Sequence, residues 1–417
     1  MKKFKAEAFD IMQYFYGMVH DPIIHSLIKF RGHIDERALI KAVTISADTI
    51  PLIRSCFNAE ARHPYWEDRG FTGEDIVHVI ESNPCIESQK LQLFASKIDM
   101  AKEPQLKIYI IREEDYDTLY ILINHMVCDG AGFKEYLYLL AGLYTQFRGS
   151  MKNIIAPAPA SRSTSQLFDG FNFIKRLGIL FSKYDLSKQK EQEKYPLQGD
   201  ENNPLFVTLE ITKQELSGMK TYAKEHGATV NDLILTAYAR VLYKRTGNER
   251  IIIPCPVDLR KYLQPGEKHG ICNLTSNFIC DVHLYEKDLF TDTLMQISSQ
   301  MKVQKANKNC LKSVKMLELA IRLIPFRAMK KAFNKFFTIP VTSFSNLGVI
   351  DKSLLNFDNI MITYTYLTGA VKYAPYFQIA VSTFNDSCVL SSNLFGTPED
   401  EKSIKEFLMS LKEELPF

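Results

Sequence analysis

The sequence predicts an α/β protein (α+β, with mixed sheets) built from two lobes. A chain of 417 residues exceeds the size at which a single hydrophobic core normally stops growing, about 250–300 residues. Each half opens with a strand pattern followed by a helix pattern, and a polar stretch with many Pro, Ala and Ser residues separates the halves. We therefore expect an N-terminal lobe over residues 1–165, a connection over 166–204 and a C-terminal lobe over 205–417.

In the first lobe, a strand is predicted for HSLIKFRG and a helix for the following DERALIKAVTISADTI. Asp35 is placed to cap that helix, and Pro51 stops it because proline has no amide hydrogen. PLIRSCF and PYWED are predicted to be extended. QLKIYIIREEDYDTLYILINH predicts two strands joined by a polar turn, because β-branched and aromatic residues are dense there. The second strand is expected to end at His125, and a helix to begin near Ala131, where apolar residues recur at helical spacing.

The second lobe is predicted to open with the strand LFVTLEIT and the helices KQELSGMKTYAKEHG and TVNDLILTAYARVLYKRTG. Thr229 and Asp232 have capping-box spacing, and Gly247 stands where a left-handed residue ends a helix. The strand RIIIPCPVDLR follows, and later VTSFSNLGVI, NIMITYTYL, YFQIAVSTF and CVLSSNLF predict further strands. A helix from Pro398 to about Leu415 closes the chain.

Composition narrows the class of protein. With 46% hydrophobic residues, 24% charged residues and a net charge of +3, the chain is typical of folded proteins, and no nucleic-acid partner is predicted. It has no run of about 20 apolar residues to span a bilayer, and MKKFKAEAFD lacks the apolar core of a signal peptide. The eight cysteines form no Cys-x-x-Cys pair, so we expect reduced, mostly buried thiols in a cytoplasmic protein without a metal site or a permanently bound cofactor.

The segment YILINHMVCDGAGFKEYL places one histidine, His125, between a predicted strand and a predicted helix. Histidine titrates near neutral pH, so it suits a general base. Asp129 lies four residues further on, across a tight turn, which favours a role in holding the turn by an ion pair. Gly130 then allows the chain to enter the helix without steric strain. On these residues alone, His125 is either a catalytic base or a histidine that ends a strand.

NHMVCDGAGF resembles the His-His-x-x-x-Asp-Gly signature of the chloramphenicol-acetyltransferase-like superfamily, which includes nonribosomal-peptide condensation domains and alcohol acetyltransferases. Further similar segments follow in the family's order: LIKFRGHIDERALIKAVTISADTIPLIRSCF, IDMAKEPQLKIYIIREEDYDTLYILINH, GATVNDLILTAYARVL, IIIPCPVDLR and SNLGVI. The resemblance implies two chloramphenicol-acetyltransferase-like lobes with an active-site tunnel between them. It also implies an acyltransferase that moves an acyl group from acyl-CoA, or from an acyl-pantetheine on a carrier protein, to a hydroxyl or amine of a small acceptor.

The same resemblance assigns roles to individual residues. His125 matches the family's catalytic base, while Asp129, Gly130 and Arg260 match residues that shape the site, the two charged ones as an ion pair. The signature's first histidine is Asn124 here, which weakens assignment to peptide-bond-forming domains. It also lends weight to an alternative, a non-catalytic condensation-like protein that binds a carrier protein or a metabolite. The candidate oxyanion or substrate contacts are Asn124, Ser343, Ser345 and Asn346, with Asn273 and Asn277 of GICNLTSNF as further candidates.

Residues 302–335 carry ten Lys and Arg residues against one acid, Glu318. Apolar residues interleave with them in an amphipathic pattern, which favours a solvated helix face packed on a core. Two alternatives stay open, attraction to the phosphates of coenzyme A or to an acidic carrier protein, and peripheral contact with an anionic membrane. The aromatic stretch FDGFNFIKRLGILF, residues 168–181, is likewise a candidate cover for the tunnel or a contact with lipid.

Overall fold

A computed structural model of the chain describes residues 1–149, 157–181, 194–266, 268–336 and 342–417. Residues 182–193, within the predicted connection over 166–204, lie outside the described residues. Where the predicted connection is described, it contains helix α6, and the second half begins with a strand at Pro204.

The first half alternates short strands and helices. Its strands are β1 (Lys3–Lys5), β2 (Ile23–Arg31), β3 (Ser55–Asn58), β4 (Tyr65–Asp68), β5 (Val77–Glu81), β6 (Leu106–Arg112) and β7 (Asp117–Asn124). Its helices are α1 (Ala8–Tyr16), α2 (Glu36–Thr49), α3 (Gly73–Ile76), α4 (Ile86–Phe94) and α5 (Gly130–Arg148). Asp35 caps α2 as predicted, because its carboxylate accepts a hydrogen bond from the Ala38 amide at 3.0 Å. The prediction of an extended segment was wrong for Pro51–Arg54, which form a 3₁₀ turn that begins at the proline.

The second half contains more helices and strands than the first among the described residues. Its helices are α6 (Phe173–Leu180), α7 (Lys213–Glu225), α8 (Val230–Thr246), α9 (Phe290–Ala306), α10 (Leu311–Leu323), α11 (Phe326–Phe336) and α12 (Pro398–Glu414). Its strands are β8 (Pro204–Ile211), β9 (Arg250–Asp258), β10 (Thr275–His283), β11 (Thr342–Ile350), β12 (Met361–Thr368), β13 (Lys372–Tyr373), β14 (Phe377–Phe384) and β15 (Ser387–Phe395). Thr229 and Asp232 form the predicted capping box at the start of α8, and Gly247 ends that helix with a left-handed φ of 73°.

The sheet that carries the candidate site has the strand order β12-β2-β7-β6-β5. All its neighbours are antiparallel except β5 and β6. One face packs on α2 and α5, where Ile121, Ile123 and Phe133 are fully buried. Strand β12 comes from the second half of the chain but pairs with β2 of the first, with Leu367 opposite Ser26.

The second large sheet joins β11, β14 and β15, with β13 and β8 also paired to β15. Helices α8 and α12 cover one of its faces, and β9 pairs with β10 in a separate ladder. A third apolar cluster contains Tyr109 and Leu122 from the first sheet and Phe206 and Val389 from the second. The two sheets therefore face each other across this cluster. The predicted fold class, α/β with mixed sheets, is confirmed, whereas the predicted domain limits stay a prediction.

All eight cysteines are free thiols, and only Cys85 is exposed.

Candidate active site

The turn that carries His125 connects a buried strand to a long helix. Every residue of β7 is buried, and the strand ends at Asn124, one residue earlier than predicted. The Val127 amide donates to the carbonyl of Asn124 at 2.8 Å and closes the turn. Asp129 then caps α5, because its Oδ1 accepts from the Gly132 amide at 2.8 Å. The predicted order of strand, tight turn and helix is present.

Asn273 determines which ring nitrogen of His125 carries the proton. The Asn273 Nδ2 donates to the carbonyls of His125 and Met126 at 2.8 and 3.3 Å. The Oδ1 of the same amide must therefore be the atom that lies 3.1 Å from His125 Nδ1. Since an amide oxygen only accepts, Nδ1 must carry the hydrogen and donate it. The neutral ring then has its free lone pair at Nε2, the atom that a general base would use.

The environment of His125 keeps its imidazole neutral. Burial lowers the pKa of His125 below its usual value, and the Lys372 ammonium lowers this pKa further. A hydrogen bond of the ring with the residue's own backbone, the Asp129 carboxylate and the bond to Asn273 act in the opposite direction without reversing the shift. The backbone is held too, because the His125 amide donates to the carbonyl of Pro22 at 2.7 Å. The ring is thus ready to accept a proton at neutral pH.

Asp129 and Arg260 form a buried ion pair behind the turn. Arg260 Nη1 lies 3.1 Å from the Asp129 carboxylate, and both side chains are less than a tenth exposed. Arg260 Nη2 also donates to the carbonyl of Cys272 at 2.8 Å, and Asp129 Oδ2 accepts from the Leu274 amide at 2.7 Å. Burial opposes the charge of Arg260, but the carboxylates of Asp129, Asp258 and Glu135 together outweigh it and raise the pKa of Arg260. The pair joins the turn to the segment that holds Asn273.

Two glycines leave the space that lets the start of α5 lie close to β11 and to Cys272. A Cβ atom at Gly130 would lie 2.3 Å from Cδ2 of Leu347 in β11. A Cβ atom at Gly132 would lie 2.9 Å from the Cys272 carbonyl oxygen and 3.1 Å from the guanidinium of Arg260. Gly130 was predicted to ease entry into the helix, and the space beside it is also restricted by Leu347. No pattern in the sequence had pointed to Gly132.

Asn124 is fully buried. Its Nδ2 donates to Oε1 of Gln105 at 2.9 Å, and its Oδ1 accepts from the Met126 amide at 3.0 Å. Both polar ends of the amide are therefore used to hold the strand end and the turn. Its predicted contact with a substrate stays a prediction.

The remaining candidates lie on or near β11 and β10. Ser343 and Ser345 are partly buried, and the Ser343 carbonyl accepts from the Tyr238 hydroxyl at 3.3 Å. Asn346 is exposed and bonds Asn231 at 2.8 Å through Nδ2 and the Gly348 amide at 2.8 Å through Oδ1. Asn277 lies in β10, on the partly exposed face of that strand. Of the predicted residues, two pairs, His125 with Asn273 and Asp129 with Arg260, each join the turn after β7 to residues 272–274.

The sequence reasoning missed two basic side chains near His125. The His125 amide bonds the Pro22 carbonyl, and the Asp21 amide bonds the Val371 carbonyl at 3.3 Å, so the 20–22 segment lies between His125 and Lys372. Burial lowers the pKa of His20, and the charges of Lys372 and His125 lower it further. Burial also lowers the pKa of Lys372 to about 8. Neither residue belongs to a motif, so only the folded chain brings them together.

Among the described residues, His, Cys, Asp and Glu side chains form no group of three that could hold a metal ion. Within the same ranges, no helix combines the length and apolar character needed to cross a bilayer.

No protein-family model matches the chain. Over 175 residues the chain is 27% identical to surfactin synthase subunit 1 from Bacillus subtilis (strain 168), an alignment that covers 40% of this chain and 5% of that protein. The chain therefore matches only a small part of the length of this curated relative.

Solved structures match almost the whole chain. The trichothecene 15-O-acetyltransferase from Fusarium sporotrichioides superposes with a TM-score of 0.71 at 11% identity, covering 100% of this chain and 96% of that one. The first condensation domain of the calcium-dependent antibiotic synthetase superposes with a TM-score of 0.68 at 12% identity, covering 99% and 96%. At these identities the likeness establishes the fold alone, which is shared with a condensation domain and an acetyltransferase, as the resemblance of the sequence implied.

Proposed function

We propose that the protein is an acyltransferase that moves an acyl group from a thioester to a hydroxyl or amine of a small acceptor. The observation that carries the proposal is the bond from His125 Nδ1 to Asn273, which leaves Nε2 as an acceptor. A neutral imidazole in a fixed orientation is what general-base catalysis needs. The fold, shared with an acetyltransferase and with condensation domains, supports the same reaction class.

In the proposed reaction, Nε2 removes the proton from the acceptor as its oxygen or nitrogen attacks the thioester carbonyl. A tetrahedral oxyanion forms and then collapses, the C–S bond breaks, and the imidazolium returns its proton to the leaving thiolate. The products are the acylated acceptor and a free thiol. His125 thus ends each cycle in its starting state.

The oxyanion needs hydrogen-bond donors. Ser343 and Ser345 are the proposed donors, because both hydroxyls lie on β11, the strand whose Leu347 approaches Gly130. Asn124 is assigned to the turn rather than to the substrate, since both of its polar ends bond within the protein. On this assignment the change from histidine to asparagine in the signature is compatible with activity.

The acyl donor is proposed to be acyl-CoA or an acyl-pantetheine on a carrier protein, as a co-substrate. The sequence likeness to a subunit of surfactin synthase supports the carrier protein, and the likeness to an acetyltransferase structure supports coenzyme A. The inter-lobe tunnel is proposed to reach His125 at the end of β7. The cytoplasmic location stays a prediction.

The test is release of free thiol from a panel of acyl-CoA and acyl-carrier-protein donors, mixed with alcohols and amines. We expect turnover by the wild-type protein and a loss of about 10²–10⁴ in kcat/KM for His125→Ala. His63→Ala, at an exposed histidine outside the site, is the matched control and should keep full activity. Equal activity of His125→Ala and wild type would exclude the proposed base.

The same panel tests the alternative, a non-catalytic protein that binds a carrier protein or a metabolite. Absence of turnover with every donor, together with saturable binding of an acyl-carrier protein, would favour that alternative.

A further inference from the structure

Helix α6 presents an apolar face to solvent. Phe173, Ile174 and Phe181 are 74, 77 and 83% exposed, and Leu177 is 37% exposed. Ile174, Leu177 and Phe181 follow the i, i+3, i+7 spacing of one helix face. Only Ile179 of this helix is buried. Large apolar side chains grouped in this way on a protein surface mark a site of contact with a partner or a membrane.

Helix α10 contacts α6 and has a similar face. Its Met316 and Leu323 are 52 and 75% exposed and lie seven residues apart, with Ile324 directly after the helix at 44%. The opposite side of α10 is in the core, where Leu311 and Val314 are buried. Two touching helices thus each present an apolar stripe to solvent.

Exposed cations lie on these two helices and on α11, which follows α10 directly in the chain. Lys175 on α6, Arg322 on α10, and Arg327 and Lys331 on α11 are exposed, and none has an ion pair among the described residues. The one acid of residues 302–335, Glu318, is already paired with Lys315 at 2.8 Å. The surface formed by the exposed side chains of α6, α10 and α11, the α6/α10/α11 surface, is therefore apolar and positively charged together.

We propose that the α6/α10/α11 surface docks the protein on a bilayer rich in anionic lipid. Charge complementarity selects this occupant, because unpaired cations attract phosphate headgroups while Phe, Ile and Leu side chains enter the acyl boundary. An acidic protein partner would satisfy the cations but would leave the exposed phenylalanines without an apolar environment. The proposal does not depend on the acyltransferase assignment.

Flotation with vesicles tests the proposal. We expect the wild-type protein to float with vesicles of equal parts phosphatidylcholine and phosphatidylglycerol, and not with vesicles of phosphatidylcholine alone. High salt should weaken the binding because it screens the headgroup charge. Wild-type protein that fails to bind the anionic vesicles, or binds both kinds equally, would overturn the proposal.

Variants separate the two contributions. Arg322→Gln, Arg327→Gln and Lys331→Gln combined should weaken binding by on the order of a hundredfold, at about 1 kcal/mol for each cation near the surface. Phe173→Ser and Phe181→Ser combined should also abolish flotation, while far-UV circular dichroism remains that of the wild type. If both sets bind vesicles like the wild type, the α6/α10/α11 surface is not the docking site.

A matched control uses exposed apolar residues that have acidic neighbours. Leu289 and Met295 are 67 and 61% exposed and lie near Asp288 and Asp292 at the start of α9. Leu289→Ser and Met295→Ser combined should leave flotation unchanged, and a loss as large as that of the α6 variants would overturn the proposal. Light scattering tests the remaining occupant: a dimer that the α6 variants dissociate, with no binding to anionic vesicles, would show that a second copy covers this surface.

Discussion

Replacement of Asn273 by alanine removes the group that fixes the tautomer of His125. The side chain is 2% exposed and takes part in three hydrogen bonds, one with His125 Nδ1 and two with backbone carbonyls. At about 1 kcal/mol for each bond, we expect the free energy of unfolding to fall by about 3 kcal/mol. A misoriented base should also reduce kcat/KM by about tenfold to a hundredfold.

The stability loss must be separated from the catalytic loss. Gln166 is a matched control, because its buried Nε2 also donates to two backbone carbonyls, those of Ser161 and Ser163, at 3.3 and 2.7 Å. Gln166→Ala should lose about 2 kcal/mol of unfolding free energy and keep full activity. The assays are urea denaturation and steady-state thiol release for both variants.

The pH dependence gives a second measurement on the same residue. The bond to Asn273 stabilises the imidazolium and raises the pKa of His125, so Asn273→Ala should move the acid limb of kcat/KM to lower pH. Asn273→Asp introduces a negative charge, which should raise this pKa and move the limb to higher pH. If Asn273→Ala loses no more activity than Gln166→Ala, or if both Asn273 variants shift the limb in the same direction, the assigned tautomer is wrong.

Three other variants test the surroundings of the base. Arg260→Met should lower the unfolding free energy by about 3–5 kcal/mol in urea titration, because it leaves Asp129 buried and unpaired; a loss below about 1 kcal/mol would contradict the ion-pair assignment. Gly130→Ala should lower the unfolding free energy by about 1–3 kcal/mol, because the added methyl group would overpack against Leu347. The double variant with Leu347→Ala should recover part of that loss. Strictly additive losses of unfolding free energy would refute the predicted clash. Lys372→Met removes a cation that lowers the pKa of the proposed base, so the acid limb of kcat/KM should move to higher pH, and an unchanged limb would show that this ammonium does not act on the base.

Local signals in the sequence were sufficient for most elements of the fold. Helix α8 shows this, because its capping residues and terminal glycine all stand where the structure uses them. Pro51 was correctly predicted to stop a helix. The same proline also begins a 3₁₀ turn, where an extended segment had been predicted. Pairing across the chain was not predicted, since a strand pattern does not specify its neighbour. The insertion of β12 beside β2 is the main example.

The candidate site likewise contains residues that a local motif predicted and residues that only the fold brings together. His125, Asp129 and Gly130 stand in one short motif, so their positions followed from the strand-turn-helix pattern. Asn273 was predicted only as a possible oxyanion contact. Its bond to His125 joins two residues that are 148 positions apart in the chain, and local patterns do not predict such a contact. His20 and Lys372 belong to no sequence motif. Lys372 lowers the pKa of His125, and both Lys372 and His125 lower the pKa of His20, through a proximity that only the folded chain creates.

The pairing of β12 with β2 acts as a mechanical tether between the two halves of the chain. Any widening of the space between the facing sheets must leave β12 joined to both, because β12 belongs to the second half of the chain but is a strand of the first sheet. Substrate exchange should therefore use small local motions, and the paired strands β12 and β2 should stay fixed while other segments move. A first half expressed without β12 would leave β2 as an open edge, and such edges recruit other strands and aggregate. The halves should accordingly be produced, and should denature, as one cooperative unit.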